Sequence, residues 1–151
     1  MKKAIICDLD STLCDLSHRL HLIQDPEKKK RNWNAFFAGI VNDKVNKWCQ
    51  AIVTNFADRG VAILYVTGRP ITYQAQTIDW LRRNDCPVSN IYMRPEKDYR
   101  EDKIVKKELY DHLIKPEYDV LFCIDDRASV TKMWREQGLI CLHCAEGDFN
   151  V

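Results

Sequence analysis

Three short apolar segments constrain the fold of this chain more than any other feature of its sequence. They are residues 4–7, 61–66 and 120–124. A continuous apolar run of this length is typical of a strand buried on both faces of a parallel sheet. Each run is far shorter than the roughly 20 apolar residues that a membrane-spanning helix needs. The sequence therefore favours a globular protein built around a buried sheet.

Helical periodicity fills the intervals between these runs. An amphipathic helix that ends near Gly60 is predicted from six apolar residues at helical spacing: Val45, Trp48, Cys49, Ile52, Val53 and Phe56. A second helix is predicted for residues 71–83, after Pro70, which suits a helix start. A third helix is predicted for residues 101–113, with Val105, Leu109, His112 and Leu113 facing inward. A fourth is marked by Val130, Met133 and Trp134 and ends at Gly138.

Residues 90–93 and 139–143 are predicted as two further strands. The resulting alternation of strands and helices predicts an α/β protein with a parallel sheet, helices on both faces and right-handed crossovers. With 151 residues, one domain is expected. In such folds the ligand lies at the carboxyl ends of the strands.

Composition and charge further limit the kind of protein that the sequence can encode. Hydrophobic residues make up 46% and charged residues 30%, which argues against disorder. The net charge of +1 neither attracts nor repels nucleic acid strongly. The apolar run at the N-terminus stops at Asp8, so a signal peptide is not expected. Together with an odd number of cysteines, seven, this predicts a cytoplasmic protein with reduced thiols.

Two of those cysteines, Cys141 and Cys144, have the spacing of half a zinc site. The sequence offers no second ligand pair at similar spacing, which a closed zinc site usually needs. The alternation around them also suits the last strand, and this interpretation is the stronger.

Acidic and other polar residues follow the predicted strands. Asp8, Asp10 and Thr12 follow the first, Thr67, Gly68 and Arg69 follow the second long one, and Asp125, Asp126 and Arg127 follow the third. Two carboxylates about 4 Å apart repel by roughly 4 kcal/mol at an effective dielectric near 20, so such a cluster needs a cation. Oxygen ligands of this kind suit Mg²⁺. The alternative, that these acids cap helices, is weakened by two acidic pairs on separate strands.

Four parts of the sequence resemble, in order and in strand placement, the four motifs of haloacid dehalogenase (HAD) superfamily phosphatases. They are residues 8–12, Thr67, a basic residue after it and the pair Asp125-Asp126. The resemblance implies a Rossmann-like three-layer core. The closer similarity is to the 3′-phosphatase domain of phage polynucleotide kinase/phosphatase and its stand-alone relatives. It rests on longer stretches: residues 8–13, 18–21, 32–33, 36–37, 67–69, 93–95, 98–100, 125–127, 133–135 and 147–149, with Asp102 and Lys106. Two departures are Ser11 in place of a common glycine, and the absence of the kinase's G-x-x-x-x-G-K-[ST] motif.

The resemblance implies a role for each candidate residue. Asp8 would be the nucleophile and would bind Mg²⁺. Asp10 would be the general acid/base and bind Mg²⁺ through its backbone carbonyl. Asp126 would be a direct metal ligand, and Asp125 a second-layer or water-mediated one.

The phosphate-binding side of the site is implied in the same way. Thr67 and Gly68 would contact the phosphate, although Thr67 taken alone suits a helix N-cap equally well. Lys106 is the preferred third-motif cation and Lys103 the alternative. Arg19 and Arg69 would contact the substrate, although lone arginines are more often surface ion-pair partners. Asp102 would orient Arg69.

Residues 14–43 are expected to form a small helical cap over the site. This segment carries the basic run 28–31 followed by Trp33, Phe36 and Phe37. Basic residues beside aromatics can grip a single strand through phosphate contacts and base stacking. For the basic run, a solvated helix end is as well supported as a nucleic-acid contact. For Phe36 and Phe37, a small apolar plug is preferred to base stacking.

Three functions remain open. The first is a Mg²⁺-dependent phosphatase that removes 3′-phosphates from polynucleotide ends. The second is a phosphatase of free nucleotides or other small phosphomonoesters, favoured by the near-neutral charge and the missing kinase motif. The third, a non-catalytic nucleic-acid-binding module, is disfavoured because all the motif residues are present.

Overall fold

The computed structural model describes residues 1–24 and 31–146. Its main sheet has five strands, all parallel, in the spatial order β5-β4-β1-β6-β7. Two short strands form a separate antiparallel ribbon, β2-β3. The strands are β1 (Lys2–Cys7), β2 (Cys14–Asp15), β3 (Lys44–Val45), β4 (Ala62–Pro70), β5 (Asn90–Arg94), β6 (Tyr118–Asp125) and β7 (Cys141–His143).

Helices cover both faces of the sheet, so the predicted α/β architecture is confirmed. The helices are α1 (His21–Gln24), α2 (Trp33–Ala38), α3 (Lys47–Asp58), α4 (Gln74–Arg83), α5 (Asp102–Leu109) and α6 (Ala128–Glu136). The structure divides the core into two clusters of buried residues. One contains Ile5, Val53 and Trp80, and the other contains Ile6, Val130 and Trp134. Successive residues of β1 point to opposite faces of the sheet, so Ile5 and Ile6 enter different clusters.

Details of two helix predictions were wrong. Val45 packs against the core but belongs to β3 rather than to a helix, and Trp48 lies 46% exposed on α3. After α5 the chain makes a π-helical turn over Tyr110–Ile114. A π turn holds more residues than an α turn, so it shifts the buried face. Tyr110 and Ile114 are buried instead of His112 and Leu113.

The predicted cap, residues 14–43, covers β2 and the segment that follows it up to β3. Its described part holds α1, α2 and two 3₁₀ turns, Ser17–Arg19 and Gly39–Asn42. Leu16, Ile23 and Phe36 form a small apolar cluster of its own. None of the described helices is both long enough and apolar enough to cross a bilayer.

Candidate active site

The loop after β1 places Asp8 at the carboxyl end of the sheet. The backbone N–H of Asp8 donates to the carbonyl of Ile124 at 3.0 Å, which ties the loop to β6. The loop turns at Ser11, whose φ of 64° lies in the left-handed region that favours glycine. This conformation explains why the related motif usually carries glycine there. Ser11 adopts it while its N–H donates to the Cys14 carbonyl at 2.9 Å.

Three carboxylates meet at this edge of the sheet. Oxygen atoms of Asp8, Asp125 and Asp126 lie within 4.8 Å of one another, and all three residues are buried. Burial and the charge of Asp8 raise the pKa of Asp125 to about 6. The same two causes, together with a hydrogen bond to Asp8, raise the pKa of Asp126 to about 9. Burial and mutual repulsion therefore make it unfavourable for all three carboxylates to be ionised together.

Lys106 is the cation that reaches this cluster. Its Nζ donates to Oδ1 of Asp8 at 2.9 Å and to Oδ2 of Asp125 at 3.0 Å, and its side chain is 2% exposed. Burial opposes the charge on Lys106, but the two carboxylates outweigh it and raise the pKa of the ammonium group. Lys103, the alternative cation, is exposed and pairs with Glu101 at 3.6 Å. Helix α5 thus brings Lys106 to Asp8 and leaves Lys103 outside.

Thr12 completes the surroundings of Asp8, and sequence reasoning gave it no role. Its buried hydroxyl lies 3.1 Å from Oδ2 of Asp8 and 3.3 Å from Oδ1 of Asp126. With Lys106 on Oδ1 and Thr12 on Oδ2, both oxygens of Asp8 have a fixed partner. The side chain is therefore held in one orientation.

Asp10 lies between two buried arginines. Arg69 contacts it with Nε at 3.2 Å and with a terminal nitrogen at 2.6 Å, and Arg19 contacts the same carboxylate at 2.9 Å. Burial alone would raise the pKa of Asp10, but the charges of Arg69 and Arg19 outweigh it and lower the pKa to about 2. Both arginines are 1% exposed, so they are not the surface ion-pair partners that lone arginines usually are. Their direct contact with substrate stays a prediction.

Asp43 holds this arginine pair and was missed by the sequence analysis. Its carboxylate accepts two hydrogen bonds from Arg19 at 2.8 Å each, and it lies 3.6 Å from Arg69. His18 contacts it at 2.7 Å, and its backbone carbonyl accepts from the Trp80 indole at 2.9 Å. An Asp inside a segment of polar and aromatic residues gives no sequence signal for this role.

Thr67 lies in the carboxyl-terminal half of β4, and its hydroxyl accepts a hydrogen bond from the Arg69 N–H at 3.1 Å. The next helical turn begins only at Ile71, so Thr67 is not its N-cap. Gly68 lies against Asp102, because a Cβ added at Gly68 would stand 2.5 Å from the Asp102 carboxylate. The absence of a side chain at this position therefore makes room for Asp102.

The predicted pairing of Asp102 with Arg69 was wrong. Asp102 instead accepts from Arg94 and, at 3.1 Å, from Arg127. Arg94 also donates to the Gly68 carbonyl at 2.8 Å. Arg69 instead contacts Asp10, which lies in the loop after β1. Asp102 thus ties β4, β5 and the loop after β6 together beside the site.

One cavity of about 740 Å³ joins these groups. Asp8, Asp10, Thr67, Lys106 and Asp126 line its acidic end. Residues of the predicted cap line another part of its wall, and they include Arg31, Trp33, Phe36 and Phe37. Of the predicted basic run, Arg31 reaches this cavity, whereas residues 28–30 lie outside the described part of the chain.

The donor chemistry of the acidic end suits Mg²⁺. The carboxylates of Asp8, Asp125 and Asp126 offer only oxygen, and hard cations prefer oxygen ligands. Within residues 1–24 and 31–146, this is the one group of three or more potential metal-ligand side chains. It includes neither Cys141, which is buried on β7, nor Cys144, whose sulfur lies 3.7 Å from the Thr12 hydroxyl.

Comparison with known proteins identifies the family. The family model described as the polynucleotide kinase PNKP phosphatase domain matches residues 2–149. A putative bifunctional polynucleotide kinase/RNA ligase of Autographa californica nuclear polyhedrosis virus is 25% identical over 138 residues. That match covers 89% of this chain and 18% of the viral protein.

Solved structures agree with this assignment. A chain in the structure of the Pnkp1/Rnl/Hen1 RNA repair complex is 32% identical, with a TM-score of 0.82, over 99% of this chain and 44% of that chain. The class C acid phosphatase of Bacillus anthracis, 19% identical with a TM-score of 0.67, shares the fold over 91% of this chain and 62% of its own. The chain thus spans less than half the length of the repair protein and of the viral protein it resembles. By sequence and by fold, it belongs to the family of polynucleotide kinase PNKP phosphatase domains and is a HAD-type phosphatase.

Proposed function

We propose that this domain is a Mg²⁺-dependent phosphomonoesterase that removes 3′-phosphates from polynucleotide ends through an aspartyl-phosphate. The observation that carries the proposal is the setting of Asp8. Its carboxylate faces a cavity at the carboxyl end of a parallel sheet, is oriented by Lys106 and Thr12, and lies in a cluster of acids that needs a cation. A carboxylate held in this way can attack phosphorus.

In the first step, a carboxylate oxygen of Asp8 forms a bond to phosphorus as the bond between phosphorus and the 3′-oxygen breaks. The leaving oxygen takes a proton from Asp10, which gives a 3′-hydroxyl and an aspartyl-phosphate. Lys106, from the side of Asp8, and Thr67, from the end of β4, stabilise the charge on the phosphoryl oxygens.

In the second step, water attacks the aspartyl-phosphate and Asp10 accepts its proton, which releases phosphate and restores Asp8. The ionised form of Asp10, favoured by the low pKa, is the form that this step requires. For the first step, Asp10 must carry a proton. A phosphate that draws Arg19 and Arg69 toward itself weakens their hold on Asp10 and raises its pKa.

Mg²⁺ would be held by the carboxylates of Asp8 and Asp126 and by the backbone carbonyl of Asp10, with Asp125 behind them. When bound, it supplies charge neutralisation for an anionic phosphate that approaches an anionic nucleophile. The raised pKa values of Asp125 and Asp126 support this assignment, because burial and the charge of Asp8 disfavour ionisation of these carboxyls and a bound cation would offset both effects.

Polynucleotide ends are the favoured substrate because the similar proteins are a polynucleotide kinase/RNA ligase and a component of an RNA repair complex. We also propose that residues 14–43 act as a small cap. The described part of this cap forms one wall of the cavity, beside Asp10. We infer that a cap of this size leaves the cavity open enough to admit the end of a polynucleotide. A free nucleotide is smaller and would not need such an opening.

Steady-state assays with the purified protein test the proposal. A single-stranded oligonucleotide with a 3′-phosphate should be hydrolysed with a higher kcat/KM than its 5′-phosphate isomer or nucleoside 3′- and 5′-monophosphates. The activity should require Mg²⁺. A higher kcat/KM for the mononucleotides would overturn the polynucleotide substrate and leave the phosphatase chemistry in place.

A further inference from the structure

Three aromatic rings form a stacked column at the wall of the active-site cavity. Trp33 and Phe37 stack with their centroids 5.8 Å apart and an angle of 20° between the ring planes. Phe37 in turn stacks on Tyr73, at 4.8 Å and 29°. The column therefore runs from the cap to the main domain, and all three residues line the cavity that contains Asp8.

The column is built to be rigid. Trp33 is the first residue of α2, and the side chain of Asn32 caps this helix by accepting from the Ala35 N–H at 3.1 Å. Phe36 packs edge-on against Trp33, with centroids 5.8 Å apart and planes at 85°. Trp33 nevertheless remains 37% exposed. A fixed aromatic surface left partly open to a cavity can accept a ligand at low entropic cost.

The column is also fixed relative to the reacting groups. The carbonyl of Phe36 accepts a hydrogen bond from Arg19 at 3.0 Å, and the same guanidinium contacts Asp10 at 2.9 Å. One side chain thus links the helix that carries the column to the proposed general acid/base. A nucleotide whose phosphate lies at Asp8 would extend its sugar and base along the wall that this helix forms.

We propose that the Trp33–Phe37–Tyr73 column is a nucleobase-stacking site that selects an unpaired base at the 3′ end of the substrate. This inference rests on the proposed function and adds the form of the substrate. A base stacks on an aromatic side chain through its flat face, whatever its identity, so the site would accept any base. The base must leave a duplex to reach the site, so the substrate end is single-stranded.

The test compares two 3′-phosphorylated oligonucleotides, one with a normal terminal nucleotide and one whose terminal nucleotide lacks the base. Trp33→Leu removes the aromatic face and keeps apolar bulk, while Trp33→Phe keeps a smaller face. Loss of one stacked base, about 1–3 kcal/mol, corresponds to an increase of roughly 5- to 140-fold in KM. This increase is expected for Trp33→Leu on the normal substrate only, and Trp33→Phe should restore most of the loss.

Trp48→Leu is the matched control. Trp48 is also a partly exposed tryptophan, 46% exposed, but it lies on α3. The Trp48→Leu substitution should leave KM unchanged for both oligonucleotides. Thermal unfolding of each variant reports on the fold directly.

The outcomes separate this inference from the proposed function. If wild-type protein hydrolyses both oligonucleotides and Trp33→Leu changes KM equally for both, or for neither, the stacking site is wrong and the function stands. If wild-type protein hydrolyses p-nitrophenyl phosphate but neither oligonucleotide, the proposal of a polynucleotide substrate is wrong, and the proposed stacking site is wrong as well.

Discussion

The ammonium group of Lys106 lies 2.9 Å from Oδ1 of Asp8, although 98 residues separate the two in the sequence. The lysine reaches Asp8 from α5, and Asp8 lies at the end of the central strand β1. This single ion pair joins the proposed nucleophile to the cation that balances it. Its geometry sets the first two predictions.

Replacing Asp8 with Asn keeps the shape of the side chain and removes the attacking charge. We expect kcat/KM to fall by about 10³-fold or more, since no other group can form the covalent intermediate. The fold should persist, because both side-chain hydrogen-bond positions can still be occupied. Asp79→Asn, an exposed carboxylate paired with Arg83 on α4, should keep normal activity. Near-normal turnover by Asp8→Asn would exclude the aspartyl-phosphate mechanism.

Lys106→Met and Lys103→Met form a matched pair on one helix. Removing the partner of a buried charge typically costs about 3–5 kcal/mol, so Lys106→Met should lower both the melting temperature and kcat. Lys103 is 47% exposed on its side chain, and its loss should change neither quantity measurably. Comparable loss of activity in both variants would contradict the assignment of Lys106.

Mg²⁺ should bind the acidic cluster with release of protons. The pKa of Asp126, raised to about 9 by burial and by the charge of Asp8, keeps this carboxyl protonated at pH 7 without metal. A metal ligand must be deprotonated. Calorimetric titration in buffers of different ionisation enthalpy should therefore report about one proton released per ion, and Asp126→Asn should abolish that release.

The raised pKa of Asp126 also determines how the stability of the folded protein depends on pH. The pKa of Asp126 in the folded protein lies above its value of 3.8 in the unfolded chain. The contribution of this group to stability is therefore complete below pH 3.8 and is lost as the pH rises toward 9. Mg²⁺ should offset that loss, so the metal-induced rise in melting temperature should grow between pH 5 and 8. Full activity in excess chelator would contradict the metal requirement.

Asp43→Asn tests the positioning of the arginine pair. Asn can accept only one of the two hydrogen bonds that Arg19 donates at 2.8 Å, and it carries no charge to balance the arginines. Loss of an outer carboxylate of this kind typically costs about 10- to 100-fold in activity. We expect kcat to fall in that range and the acidic limb of the pH profile to move, because Arg19 also contacts Asp10. A lower melting temperature with an unchanged pH profile would mean that Asp43 only stabilises the cap.

Gly68→Ala should disturb the site through Asp102. The added Cβ would stand 2.5 Å from the Asp102 carboxylate, which holds Arg94 and Arg127. Overpacking of this kind typically costs about 1–3 kcal/mol, and kcat/KM should fall with it. In an Asp102→Ala background, the same substitution should cost measurably less stability. An equal cost in both backgrounds would show that the clash lies elsewhere.

The residue pattern was enough to predict the sheet and the edge at which the site lies. The apolar runs at 61–66 and 120–124 are long enough to be buried strands and are followed at once by polar residues. In a parallel sheet, strand ends meet at one edge, so Thr67 and Asp125 had to converge near Asp8. The resemblance to HAD phosphatases supplied the candidate roles, and the family match of residues 2–149 confirmed the family.

Which charged groups pair depends on the three-dimensional packing of the chain. Lys103 and Lys106 are equivalent in sequence pattern, but the rotation of α5 against the sheet buries one and exposes the other. Asp102 pairs with Arg94 and Arg127 rather than with Arg69, since an ion pair depends on distances that no local pattern encodes. Asp43 escaped notice for the same reason: its carboxylate gains a role only because the chain folds Arg19 against it, across 24 residues.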